Sequence, residues 1–373
     1  MSKTTPFLEP RMTGRRFEGH TIPLELLKDL AALENLLIDV AKWHYFKDNP
    51  EKQRCPNGFT NGVSLRLEGV AEGSAIPKIV LVSALTFMPV GSETYFQKAK
   101  DSLFSVINAA QQNQLNNLEI PEHLLYGFDR IGRSLRDDEA IEFNPGVPQS
   151  PARLDKTTRH RLVMASSQAQ EYTESVVLRG SISAVDIDNN RFILNLVNGR
   201  QVSGRLQPQF ENTALLALNG YAQNKVKVKI EGVGVFNRLA QLKSLATVEH
   251  MSLLPPRDVG ARLDEFRGLK AGWYEGAGSR FESKHLDWLT DSFESLYGDD
   301  LPLPWVYPLP DGKVRCEWRS SSYEASLEVD LQTQQGEWLS FVKVEEQETE
   351  QTLHLNQETD WQWLNQELGG KLS

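Results

Sequence analysis

Two groups of residues in this sequence have the types and spacing for chemistry. The first is the run DRIGRSLRDDEAIEF, Asp129 to Phe143, in which Arg130, Arg133, Ser134 and Arg136 precede Asp137, Asp138 and Glu139. Paired carboxylates can hold a metal or serve as general acid and base, and Arg130 and Arg133 on one helical face can bind phosphate. The same run sits where a helix should give way to a strand, and polar residues there also cap and turn the chain. The second group is Lys225, Lys227 and Lys229, alternate residues on one face of a strand, with Arg179, Arg191, Arg200 and Arg205 on neighbouring elements. A basic face of this kind binds single-stranded nucleic acid when aromatic side chains stack the bases. Phe192, Tyr221 and Phe236 are the aromatics within reach in sequence, and alternating lysines also keep an edge strand soluble.

Other catalytic constellations are absent. There is no G-x-S-x-G around a nucleophile, and no pair among the seven histidines has metal-ligand spacing. Gly180, Gly232 and Gly234 lie inside or beside strands and lack the Lys-Ser or Lys-Thr that follows a phosphate loop, which suits bends in a small barrel better. Cys55 and Cys316 are far apart, with no second ligand nearby. No metal and no cofactor are therefore expected, and an enzyme acting through Arg130, Arg133, Asp137 and Asp138 ranks third among the readings.

The elements that must position these groups follow from periodicity. The basic first 16 residues have none and read as a solvated arm. Apolar residues at three- and four-residue spacing mark a helix from Pro23 to Phe46, then strands Ser64–Val70 and Ile76–Leu85, helices Glu93–Gln112 and Pro121–Leu135, a strand Ala140–Phe143 and a short helix capped by Asp155. From Val176 to Leu254 the pattern is three strands, a helix ending at Gly220, and two strands, with Asn198-Gly199 as a two-residue hairpin turn. That order resembles the OB fold, a small Greek-key barrel, although five short strands also suit an SH3-like barrel. After Pro255-Pro256 come two helices, a meander of four strands, a solvated acidic stretch from Glu345 to Gln351, and a closing helix capped by Thr359. The expected fold class is α+β, in three domains: 1–167, 168–254 (the barrel) and 255–373.

Charge and aromatic content separate the last domain from the rest. The net charge is -10. Residues 255–373 hold 11 Lys and Arg against 23 Asp and Glu, whereas 172–254 hold 9 against 6. An acidic domain repels phosphate and suits a basic partner. Seven of the eight tryptophans also lie in 255–373, and large aromatics anchor interfaces. Trp273, Tyr274, Trp305 and Trp338 are the candidate partner-binding residues. No apolar run approaches the roughly 20 residues that span a bilayer, and the N-terminus has no signal-peptide pattern, so no membrane association and a cytoplasmic location are expected.

GLKAGWYEGAG and LPLPWVYPLPDGKVRCEWRSSSYEASLEVDL resemble the C-terminal module of uncharacterised bacterial proteins of toxin-antitoxin and anti-phage loci. That resemblance implies a non-catalytic, antitoxin-like accessory protein of bacterial defence, which binds and neutralises a protein partner such as a basic toxin or effector. The alternative is nucleic-acid binding by the barrel through Arg179, Arg191, Lys225, Lys227 and Lys229.

Overall fold

A computed structural model describes residues 2–372, apart from 61–62, 72–74, 85–91, 116–117, 145–151, 167–169, 225 and 344–345. Helices and strands are mixed without alternation, giving an α+β protein. The chain forms two compact units, Met1–Ser175 with Val233–Lys243, and Val176–Gly232 with Ser244–Ser373.

In the first unit the N-terminal residues are not a free arm. Strand β1 (Ser2–Leu8) pairs antiparallel with β4 (Ile76–Ala84), which also pairs with β3 (Val63–Ala71). Strand β2 (Arg11–Thr13) pairs with β5 (Ala140–Glu142), which pairs with β6 (Arg153–Leu154). Main-chain pairing of this kind needs no apolar periodicity, which is why the pattern missed it. Helices α1 (Glu25–Asp48) and α2 (Ser92–Gln111) bury Leu33, Leu36, Leu37, Val40, Phe96, Leu103 and Ile107 in one core. The helix expected over Pro121–Leu135 is only α3 (Glu122–Leu125) and a 3-10 turn, Tyr126–Asp129. The chain then turns through Gly132, whose φ of 71° ends helical geometry. Helix α4 (Lys156–Ala165) begins at Asp155, whose carboxylate accepts from the Thr158 N–H at 2.8 Å.

Strands β7 (Glu171–Asp186), β8 (Arg191–Leu196), β9 (Gln201–Arg205), β10 (Val228–Asn237) and β11 (Leu242–Leu253) form a closed sheet in the order β10-β11-β9-β8-β7. The β8–β9 turn differs from expectation. Gly199 alone takes a positive φ, 80°, and a Leu196–Arg200 hydrogen bond closes a three-residue loop. Helix α5 (Glu211–Asn224) also runs past Gly220, where a Cβ would meet Val226 at 2.4 Å. That glycine serves close packing and does not stop the helix.

The rest of the second unit is a two-layer structure. Helix α6 (Val259–Phe266) is capped by Asp258, which accepts from the Ala261 N–H at 2.7 Å. Helix α7 (Ser283–Leu296) buries Leu286, Leu289 and Phe293. The strands β12 (Trp305–Pro308), β13 (Val314–Arg319), β14 (Tyr323–Asp330), β15 (Gln335–Val342) and β16 (Gln347–His354) form an antiparallel meander in sequence order. Within the acidic stretch, Gln347 to Gln351 is thus a charged edge strand, not an excursion; Glu345 lies outside the described residues. Helix α8 (Glu358–Leu372) begins before Thr359, so that residue does not cap it. One sheet face alternates Val314, Cys316, Trp318, Tyr323, Leu327, Val329 and Trp338 into a core with Trp361, Leu364 and Leu368.

Candidate interaction surfaces

The basic residues that pointed to nucleic acid are largely occupied within the second unit. Arg179 on β7 is buried, and its guanidinium lies 2.6 Å from Glu294, 3.4 Å from Asp264 and 4.0 Å from Asp258. Lys229 lies 2.8 Å from Glu294 and 3.2 Å from Glu231, and Lys227 lies 2.7 Å from Glu265. These side chains bind the strands to α6 and α7 and are not a free cationic stripe; Lys225 lies outside the described residues. Burial pulls the Arg179 pKa down, but Asp264 and Glu294 outweigh it and the net shift is upward. Burial likewise raises Glu294 and Glu265, yet hydrogen bonds from Lys229 and Arg179, and from Lys227 and Arg262, hold both carboxyls below their ordinary range. Sequence could not show the links from the strands to α6 and α7, because those partners are more than 30 residues apart along the chain. Arg191 remains exposed and pairs across the sheet with exposed Arg205. Gly180 and Gly232 hold no ligand loop: a Cβ on either would meet a neighbouring carbonyl, Asn195 at 2.4 Å or Thr247 at 2.2 Å.

The polar run of the first unit does not converge into a catalytic cluster. Asp137 pairs with Lys156, Asp138 accepts from the Arg15 N–H, and buried Glu139 pairs with Arg16. Arg133 donates to the Thr173 hydroxyl, and Arg130 is exposed. Among the described residues no three metal-ligating side chains gather.

The candidate aromatic anchors divide. Trp338 is 2% exposed and belongs to the core, which corrects its assignment as an interface residue. An indole of that size on a half-buried strand gains more by packing than by display. Trp273 is half-buried, and its indole N–H donates to the Ser279 carbonyl at 3.1 Å. Tyr274 and Trp305 are 52% and 50% exposed.

The face of the meander opposite its core is open within the unit. Across it, in register, run Trp305, Glu317, Ser326, Leu339 and Glu350; then Tyr307, Arg315, Glu328, Glu337 and Thr352; then Arg319, Glu324, Phe341 and Glu348. Six glutamates therefore face two arginines. Arg315 bonds Glu328, Arg319 bonds Glu317 and Lys343 bonds Glu324. Glu337, Glu348 and Glu350 have no ion-pair partner among the described residues, and they flank Leu339 and Phe341, 41% and 38% exposed.

A cleft of about 640 Å³ lies at the other edge of the same unit. Its walls include Pro255, Pro256, Pro304, Trp305 and Tyr307, and its charged lining is Lys227, Arg257, Arg262 and the capping Asp258. The Arg262 Nε donates to the Val306 carbonyl of β12 at 3.0 Å. Arg257 has φ 68° and lies over the Trp305 ring, 5.1 Å from its centroid, with no carboxylate partner among the described residues. No helix among the described residues is long and apolar enough to cross a membrane. Comparison with protein-family models, curated proteins and solved structures found no match.

Proposed function

We propose that this chain is a non-catalytic accessory protein that binds a basic protein partner, as an antitoxin holds a toxin or effector, through the open face of its C-terminal sheet. One observation carries the reading: Leu339 and Phe341 stand exposed beside three glutamates that have no cationic partner among the described residues. Apolar side chains ringed by unneutralised carboxylates complement a surface that presents lysine or arginine around an apolar centre. Glu337 lies directly across from Glu328, whose charge Arg315 already balances, so Glu337 is the carboxylate of that pair left for an outside cation. The test is purification of the tagged chain from its native host after nuclease treatment, in parallel with a Leu339→Ser, Phe341→Ser variant. A basic protein held stoichiometrically by the parent, released by salt and lost by the variant, is expected. Equal retention by both, or no stoichiometric protein at low salt, would remove the proposal.

A second reading, nucleic-acid binding by an OB-like barrel, rests on different features. Strand β9 pairs parallel with β11 and α5 lies between the third and fourth strands, as in that fold. Arg191 opposite Arg205 on the second and third strands places two like charges where an anion would relieve them. Changing both to Glu should abolish binding to single-stranded DNA or RNA; unchanged affinity would end this reading. Lys227 and Lys229 are poor probes, because each already holds a glutamate of α6 or α7.

A further inference from the structure

We propose that the cleft beside β12 binds a nucleoside monophosphate, a flat ring carrying one phosphate. Its volume, about 640 Å³, falls in the range of small-molecule sites. Three of its four charged lining residues are cations, and two of these, Arg257 and Arg262, come from residues 255–373, where acidic residues outnumber basic ones 23 to 11. The one lining carboxylate, Asp258, is engaged in capping α6. Glu265 neutralises Lys227 and Arg262, which leaves Arg257 as the lining cation without a carboxylate partner among the described residues. A buried or half-enclosed site with this charge balance selects an anion.

The aromatic pair narrows the class. Trp305 and Tyr307 are alternate residues of β12, 50% and 40% exposed, and both line the cleft. Aromatic side chains stack any nucleobase by its flat face, and the neighbouring prolines make a rigid apolar wall that spends little conformational entropy on binding. Arg257 over Trp305 brings the charge and the stacking surface together. Its left-handed backbone is a conformation that glycine adopts without strain and arginine does not.

The proposal is independent of the sheet-face reading, since Leu339 and Phe341 take no part in it. Calorimetric titration of the full chain with AMP and GMP tests it, with adenosine, ribose 5-phosphate and inorganic phosphate as partial ligands. AMP or GMP should bind with a Kd below about 1 mM, and each partial ligand should bind about tenfold more weakly or worse. Arg257→Gly and Trp305→Leu should each weaken AMP binding by about tenfold or more. Arg257→Gly relieves the backbone and should keep the parent's melting temperature, so its loss of affinity would not reflect misfolding. No binding of either nucleotide at millimolar concentration, equal binding of phosphate alone, affinity unchanged in both variants, or binding of a short oligonucleotide without mononucleotide binding would each overturn the proposal.

Discussion

Each unit buries one arginine, and the two are held in different ways. Arg159, in the first unit, is fully buried and donates to the carbonyls of Phe128 at 3.1 Å, Asp129 at 2.6 Å and Thr173 at 2.5 Å. Its nearest carboxylates are Asp129 at 3.4 Å and Glu174 at 3.8 Å. Burial lowers its pKa more than those carboxylates raise it. Arg179, in the second unit, is ringed by three carboxylates and its pKa moves the other way. One arginine thus gathers three backbone carbonyls around a single guanidinium; the other belongs to a network whose acids have further cations. The lesson is that equal burial does not mean equal dependence.

The largest test of that contrast is removal of each guanidinium. Arg159→Met should cost the first unit about 3–5 kcal/mol, because the Phe128, Asp129 and Thr173 carbonyls lose a buried charged donor together, although the Asp129 carboxylate keeps the Thr173 N–H and hydroxyl. Arg179→Met should cost about 1–3 kcal/mol: Glu294 keeps Lys229, Asp264 keeps Arg267 and Asp258 keeps its helix cap. Denaturant unfolding separates them, by hydrogen-exchange protection of peptides from α1 and α2 for the first unit and tryptophan fluorescence for the second, since only Trp43 lies outside it. Equal losses would break the comparison.

Acid titration comes next in size. Glu265 and Glu294 have depressed folded pKa values, so they contribute stability above the ordinary carboxylate range that is lost as pH falls through those folded values. Asp29 is the opposite case: burial raises it against the hydrogen bonds from Ser134, so protonation below its folded pKa favours the folded first unit. Below about pH 4 the fluorescence transition should therefore precede loss of hydrogen-exchange protection in α1 and α2. The reverse order would count against the charge network. The smallest effect sharpens the idea of redundancy: Lys229→Met should cost under about 1 kcal/mol alone, and more in the Arg179→Met background, where Glu294 would lose both cations. Additive losses would show that the two cations act independently.

Much of the fold was legible, because α1, α2, α4, α7 and the strands around Asn198-Gly199 announce themselves by apolar period or turn residues. What was not legible is instructive. Strands β1, β2 and β16 pair through the main chain, and the short or charged segments that do so carry no amphipathic signal. Of the candidate sites, the exposure of Trp305 and the burial of Trp338 depend on strand phase, which one residue of register reverses. The occupation of Lys227, Lys229 and Arg179 depends on α6 and α7 packing against distant strands, which no local pattern encodes. Arg257 escaped notice because its backbone conformation, not its identity, sets it apart.

The two rims of the C-terminal meander carry a last consequence. At one rim β12 is four residues long, ends in Pro308 and has its Val306 carbonyl taken by Arg262; at the other, β16 presents Glu348 and Glu350. An open antiparallel sheet is otherwise a template on which a second copy can add strands without limit. Here a short, proline-ended strand at one rim and charge at the other disfavour lateral growth, while the broad face stays open to another molecule.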